Sequence, residues 1–211
     1  MLRDLAEAEL SAGLQDLARN FSLPVDDTAL HACLQHFQVL RKWNRVMNLV
    51  GDLSVESAIY RHYGESLFLA GSLGQSLRTV ADLGSGAGFP GIGVAAMHRR
   101  VQVELIEARQ KRCAFLREST RSFPNVSVWN GVGDGFKRMV QMVVARAVDI
   151  GMVLDFADHR SADICLLIGE SDAGKWRNHL ESQGRQCAVL PVPWRPQSVV
   201  FSTMDADIPR G

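Results

Sequence analysis

The sequence predicts an α/β fold: a mostly parallel sheet covered by helices on both faces, with an antiparallel last strand and a helical region in front. Three observations carry this. From Arg78 onward, short β-like runs alternate with helical segments, the pattern that builds a parallel sheet. The last two runs are joined by Pro191-Val192-Pro193-Trp194-Arg195-Pro196 without a helix, so one of them runs against the rest. The first third carries apolar residues at helical spacing instead. The 211 residues, 46% hydrophobic and 22% charged, suffice for one substantial core. We divide the chain into 1–77, a helical region packed on the main domain, and 78–211, one compact unit.

Leu5, Leu10, Leu14 and Leu17 share one face of a first helix, which Asn20 and Pro24 end. Asp26 or Asp27 caps a second. There Leu30, Leu34, Phe37 and Leu40 form one stripe, and Val39, Trp43 and Val46 a second; Trp43 is read as a packing residue. Ser54 caps a third helix carrying Ile59, Leu67 and Leu69. Beyond Gly71-Ser72-Leu73-Gly74, strands are expected at 79–83, 101–106, 126–129, 142–145, 164–168, 186–190 and 198–203. Helices are expected at 91–99, 110–122, 150–159 and 174–183.

Composition excludes several classes. No apolar run approaches the roughly 20 residues of a membrane span. The opening Met1-Leu2-Arg3-Asp4-Leu5-Ala6-Glu7 is amphipathic and acidic, unlike a signal peptide. Cys33, Cys113, Cys165 and Cys187 are scattered, with neither a C-x-x-C pair nor zinc spacing, which suits a reduced, cytoplasmic setting and no metal. The net charge is zero, yet ten basic residues face five acidic ones between Arg78 and Val140. Arg109, Lys111, Arg112, Arg117 and Arg121 either solvate one amphipathic helix or present a local face to anions.

The strongest signal is Asp82-Leu83-Gly84-Ser85-Gly86-Ala87-Gly88-Phe89-Pro90-Gly91, which follows a strand and opens a helix. Glycines there allow unusual backbone angles and close approach of N–H groups to a ligand. Gly86-x-Gly88-x-x-Gly91 matches a dinucleotide fingerprint, with Glu107 about 20 residues on. Asp82 points elsewhere: a carboxylate at the strand end repels a pyrophosphate and attracts the cationic amino acid of S-adenosylmethionine. The glycines also begin earlier, as Gly84-x-Gly86-x-Gly88, the shape of a methyltransferase loop. Glu107, ending the next strand, would accept from ribose hydroxyls. Asp134 either accepts from an adenine amino group or is a turn residue of Gly131-Val132-Gly133-Asp134-Gly135.

These residues resemble the RsmG (GidB) methyltransferases, which methylate N7 of a guanine in bacterial 16S rRNA. Trp43-Asn44-x-x-x-Asn48-Leu49, Arg61-His62 followed by Ser66-Leu67, the block from Asp82 to Ile92, Glu107 through Lys111-Arg112 and Phe115-Leu116, and Arg146-Ala147 follow the family's motifs in order. The resemblance implies a Rossmann-like class I methyltransferase sheet. It implies S-adenosylmethionine near Gly84 and Phe89 with contacts at Gly133 and Asp134, and Arg146 lining the site toward donor or RNA. Alone, Arg146 reads equally as a strand-end arginine paired with a carboxylate. The implied partner is 16S rRNA or the small ribosomal subunit, met by a monomer.

Departures fall on the RNA side. Ile168 precedes Gly169 where the family carries Lys; Val50 replaces a frequent Thr, Gly93 a common Pro, and Pro196-Gln197 lies where basic residues are frequent. Guanine N7 carries no proton, so no general base is required, and the sequence offers no Ser/His/Asp or paired-carboxylate constellation. Arg61, His62, Lys111 and Arg146 are the candidate RNA contacts, though His62 also reads as a core imidazole holding the helices to the sheet. Competing readings are a methyltransferase with another acceptor, an RNA- or ribosome-binding protein that kept the fold without turnover, and, more distantly, an NAD-dependent oxidoreductase.

Overall fold

A computed structural model describes residues 2–160 and 162–203; Met1, Ser161 and the end of the 78–211 unit, residues 204–211, lie outside the described residues. The strands are β1 (Thr79–Leu83), β2 (Gln102–Glu107), β3 (Val126–Asn130), β4 (Met142–Arg146), β5 (Asp163–Gly169), β6 (Ala188–Val192) and β7 (Arg195–Ser202). They form one sheet in the order β3-β2-β1-β4-β5-β7-β6. β1 to β5 pair in parallel, and β7 runs antiparallel between β5 and β6. The central strands are apolar on both faces (Val80, Ala81 and Leu83; Val143, Val144 and Ala145) because helices cover both sides.

The proline-rich connection is shorter than expected. Pro191 and Val192 belong to β6, and Arg195 and Pro196 to β7, leaving a tight turn at Pro193-Trp194. β6 is the sheet's edge, where a missing N–H is tolerated.

The front region holds α1 (Leu2–Asn20), α2 (Asp27–Met47), α3 (Val55–Ser57), a π-helical turn (Ala58–Gly64) and α4 (Glu65–Gly71). Asp26 is the cap of α2, accepting from Ala29 N at 2.7 Å, and Ser54 caps α3. Leu30, Phe37 and Leu40 are buried as expected, together with His36 and Cys33, which the stripes did not include. Val46, assigned to the second stripe, is exposed. Trp43 packs edge-on to Phe115 and donates to Glu118.

Over the sheet lie α5 (Gly91–Met97), α6 (Gln110–Ser119), α7 (Ile150–Asp158) and α8 (Glu170–Ser182). One apolar cluster joins Leu10, Phe37 and Tyr63 of the front helices to Ile92, Leu105 and Phe115. A second, around Phe136, Val153 and Phe201, fills the opposite face under α7 and α8.

Candidate functional site

The glycine loop leaves β1 with Gly84, Gly86 and Gly88 at φ +71°, +56° and +90°, a region where side chains other than glycine's are strained. Gly84 N and Ser85 N both donate to the Ile106 carbonyl, at 2.9 and 3.0 Å, so the end of β2 holds the turn in place. Asp82 lies beneath the loop, fully buried, rather than open beside it. Its Oδ2 accepts from Gly91 N at 3.1 Å, tying the strand end to the start of α5, and its Oδ1 has no partner among the described residues. Burial pushes the Asp82 carboxyl up to about 7, against the pull of the Gly91 N–H.

Glu107 is buried at the neighbouring strand tip. Its Oε2 accepts from Gly86 N at 3.1 Å and its Oε1 from Arg109 N at 2.8 Å, while Arg112 Nη1 stands 3.7 Å from Oε2. Both expected carboxylates therefore converge on the glycine loop. Lys111 points to solvent; its neighbour Arg112 is the cation turned toward the loop. Gly133 and Asp134 form a short 3-10 turn after β3, with the Asp134 side chain exposed. A Cβ at Gly133 would sit 2.8 Å from Phe156, so glycine fits this turn against α7.

Phe89 turns its ring inward. It stacks on His62 (centroids 5.4 Å, 17°), meets Tyr63 and His36 edge-on at 5.0 and 5.4 Å, and carries the Arg146 guanidinium 5.2 Å above it. The ring therefore joins the loop to the front helices and to Arg146, rather than facing outward.

At the ends of β4 and β5 opens a cavity of about 500 Å³. Arg61, Arg146 and Arg195 with the acids Asp52, Glu65 and Asp172 supply its charged wall, and His62, Val148, Ile150 and Ile168 line the rest. Arg146 donates to the Arg61 carbonyl at 2.8 Å and lies 3.7 Å from Glu65 Oε2. His62 donates from Nε2 to the Asp52 carbonyl at 2.7 Å, leaving Nδ1 to accept from Arg146 Nη2 at 3.4 Å. Burial first, then Arg146 and Arg61, push His62 down to about 4, so it is a neutral positioning ring at pH 7. Both readings of His62 meet here: it is buried, yet it borders the cleft.

Glu65 was not singled out in the sequence. It is buried, accepts from Arg195 Nε at 2.7 Å and faces Arg146. The available signal was its place between Arg61-His62 and Ser66, within a motif the sequence already singles out. Ile168 leaves β5 without a cation, and Arg195, arriving on the antiparallel β7, supplies one to the same cavity. The two halves touch: a Cβ at Gly84 would lie 2.8 Å from Val148, which lines the cavity, so the loops after β1 and β4 share a wall.

Residues 30–170 match the family model GidB, described as rRNA small subunit methyltransferase G. Among curated proteins named ribosomal RNA small subunit methyltransferase G, the one from Dichelobacter nodosus is 38% identical over 117 residues, covering 54% of this chain and 55% of that protein. The one from Neisseria meningitidis is 32% identical over 156 residues, covering 73% and 72%. In matches such as the first, the chain spans little more than half the relative's length. Of solved structures, a SAM dependent methyltransferase from Aquifex aeolicus superposes with a TM-score of 0.54 at 16% identity, covering 69% of this chain and 92% of that one. Aeropyrum pernix fibrillarin, solved with natively bound S-adenosyl-L-methionine, gives 0.53 at 14% identity over 68% and 75%. At such identities the likeness is one of fold, the Rossmann-like class I methyltransferase sheet.

Proposed function

The chain belongs to the GidB family, rRNA small subunit methyltransferase G, and on that premise we propose that it carries a methyl group from S-adenosylmethionine to N7 of a guanine in 16S rRNA. The observation that carries this reading is the shared wall between the glycine loop and the arginine-lined cavity, at Gly84 and Val148. A donor held on the loop would lie against an acceptor held in the cavity.

The loop fits the donor. Asp82 keeps a carboxylate oxygen unpartnered among the described residues beneath it, a source of negative potential for a cationic amino acid. Glu107 uses one lone pair of each oxygen on the chain's own N–H groups, and a carboxylate accepts about four bonds, leaving capacity for ribose hydroxyls. Gly84, Gly86 and Gly88 expose the backbone, and Gly133 and Asp134 would meet the adenine. When bound, the donor supplies a methyl group already activated by its sulfonium charge.

On the acceptor side Arg146 is fixed by the Arg61 carbonyl, Glu65 and His62, so its remaining donors are oriented without further ordering cost. They suit guanine O6, next to N7, and disfavour an amino group at that position. N7 has no proton to lose, and the neutral, doubly tied His62 has none to take. Orientation and exclusion of water are the chain's contribution. Arg61 and Lys111 are exposed and would meet phosphates. Residues 1–77 would cover the 78–211 unit and close the cavity as part of one cytoplasmic monomer acting on 16S rRNA or the small subunit.

Thermal denaturation with S-adenosylmethionine, its demethylated product and NAD tests the donor assignment, because a ligand of the fold raises its melting temperature by mass action. The first two are expected to stabilise the protein. Stabilisation by NAD alone would end the reading.

A further inference from the structure

A second cavity, about 490 Å³, adjoins the one assigned to the target guanine. The two share Asp52, Arg61 and Arg195 in their linings. On the far side stands Tyr60, the residue before Arg61 on the π-helical turn, with 43% of its surface exposed. Trp194 forms the floor. Its ring is committed to Phe21 and Phe68, at 4.7 and 5.5 Å, and its Nε1 donates to the Tyr60 carbonyl at 2.8 Å. The backbone carrying Tyr60 is thus anchored while its ring stays open.

Charge divides this second cavity. Arg61 and Arg195 stand at the boundary with the first, Arg195 held there by Glu65. Asp52 stands at that boundary too, its carboxylate accepting from the Ser54 N–H and hydroxyl, and the acid confined to the second cavity is the exposed Glu56. The two guanidinium groups at the boundary suit an anion, Glu56 beyond them disfavours one, and the exposed Tyr60 ring there offers a face to any base. Alternating cation and aromatic in this way is how proteins hold an unpaired strand.

Resting on the methyltransferase reading above, we propose that the second cavity is a subsite for the unpaired nucleotide next to the target guanine. Its base stacks on Tyr60, and the phosphate joining the two nucleotides lies between Arg61 and Arg195. The pair of cavities then selects a splayed single strand over a duplex, because two consecutive bases must leave the helical stack together.

The test uses the full chain and a 16S rRNA fragment around the guanine that the wild type methylates, with and without an abasic ribose at either neighbouring position. Tyr60→Ala is expected to raise KM for RNA about tenfold, and Tyr60→Phe, which keeps the ring, to stay within about twofold. Donor affinity, measured by calorimetry, stays at the wild-type value in both. An abasic ribose at one neighbour raises the wild-type KM to a similar extent and adds nothing to Tyr60→Ala. A wild-type KM in Tyr60→Ala, or losses that multiply when the two changes are combined, would overturn the subsite alone. A wild type that methylates no RNA would overturn the subsite together with the reading it rests on.

Discussion

Arg195 donates from Nε to Glu65 Oε1 at 2.7 Å, joining the last strand of the sheet to the front helices through a carboxylate that is only 5% exposed. Arg146 approaches the other oxygen of the same group at 3.7 Å. Glu65→Ala leaves two guanidinium groups without their anion and is expected to cost about 3–5 kcal/mol of stability. Glu65→Gln keeps the shape and loses less. In both, turnover falls further than donor affinity, because Arg146 loses its anchor while the glycine loop does not. Chemical denaturation and donor titration of the same two variants check this.

The Asp82 carboxyl titrates at about 7 in the fold against an ordinary 3.8. The fold holds a proton that the unfolded chain gives up between these values, so this group makes stability fall as pH rises across that window. A bound ammonium group favours the ionised carboxylate. Donor affinity is therefore expected to strengthen as pH rises from about 5 toward 7, by at most about tenfold per unit. Asp82→Asn should flatten that rise; a wild-type slope in the variant would remove Asp82 from donor binding.

His62, held down to about 4, and His36, held down to about 3, shift the other way, each because burial penalises the charged ring. Their contributions are present in full above the ordinary value of 6.5 and are lost as pH falls toward 4 and 3. Two protons outweigh the one at Asp82, so the protein is expected to lose stability on acidification below about 6. His62→Gln should shrink that loss and leave the pH dependence of turnover between about 6 and 8 unchanged in shape. A changed profile would make His62 a proton carrier.

Gly86 and Gly93 separate donor binding from packing. Gly86 has φ +56°, and a Cβ there would meet nothing nearer than Gly84 O at 3.7 Å. Gly86→Ala is therefore expected to cost about 1–2 kcal/mol through backbone strain and to weaken donor binding. At Gly93 a Cβ would sit 2.6 Å from the Ser66 carbonyl carbon, where α5 crosses α4. Gly93→Ala is expected to cost about 1–3 kcal/mol by overpacking with donor affinity intact. Equal donor affinities in the two variants would contradict the placement of the loop.

What could be read without coordinates was whatever a short stretch of chain specifies by itself. Asp26 and Ser54 cap helices through bonds to residues three positions on, and the glycine loop's positive angles follow from its own glycines. The loop after β1 and the acid ending β2 were legible because parallel strands bring their ends together. Glu65 was not, since its meaning depends on Arg195, 130 residues away. That Arg112 and not Lys111 turns toward the glycine loop is a difference of about 100° on a helix, which adjacent cations do not betray. The π-helical turn shifts a hydrogen-bond pattern without disturbing the apolar spacing around Ile59 and Leu67. The depth of Asp82 under the start of α5 and the inward ring of Phe89 against His36, His62 and Tyr63 are tertiary events.

The central claim is methyl transfer to RNA, and incubation with labelled S-adenosylmethionine tests it most directly. Isolated small ribosomal subunits and naked 16S rRNA, both lacking the modification, are the acceptors, and the labelled nucleotide is mapped. The expected result is label on N7 of a single guanine in at least one of them. A protein that binds the donor and leaves both RNAs unlabelled, or labels another atom, would contradict the account.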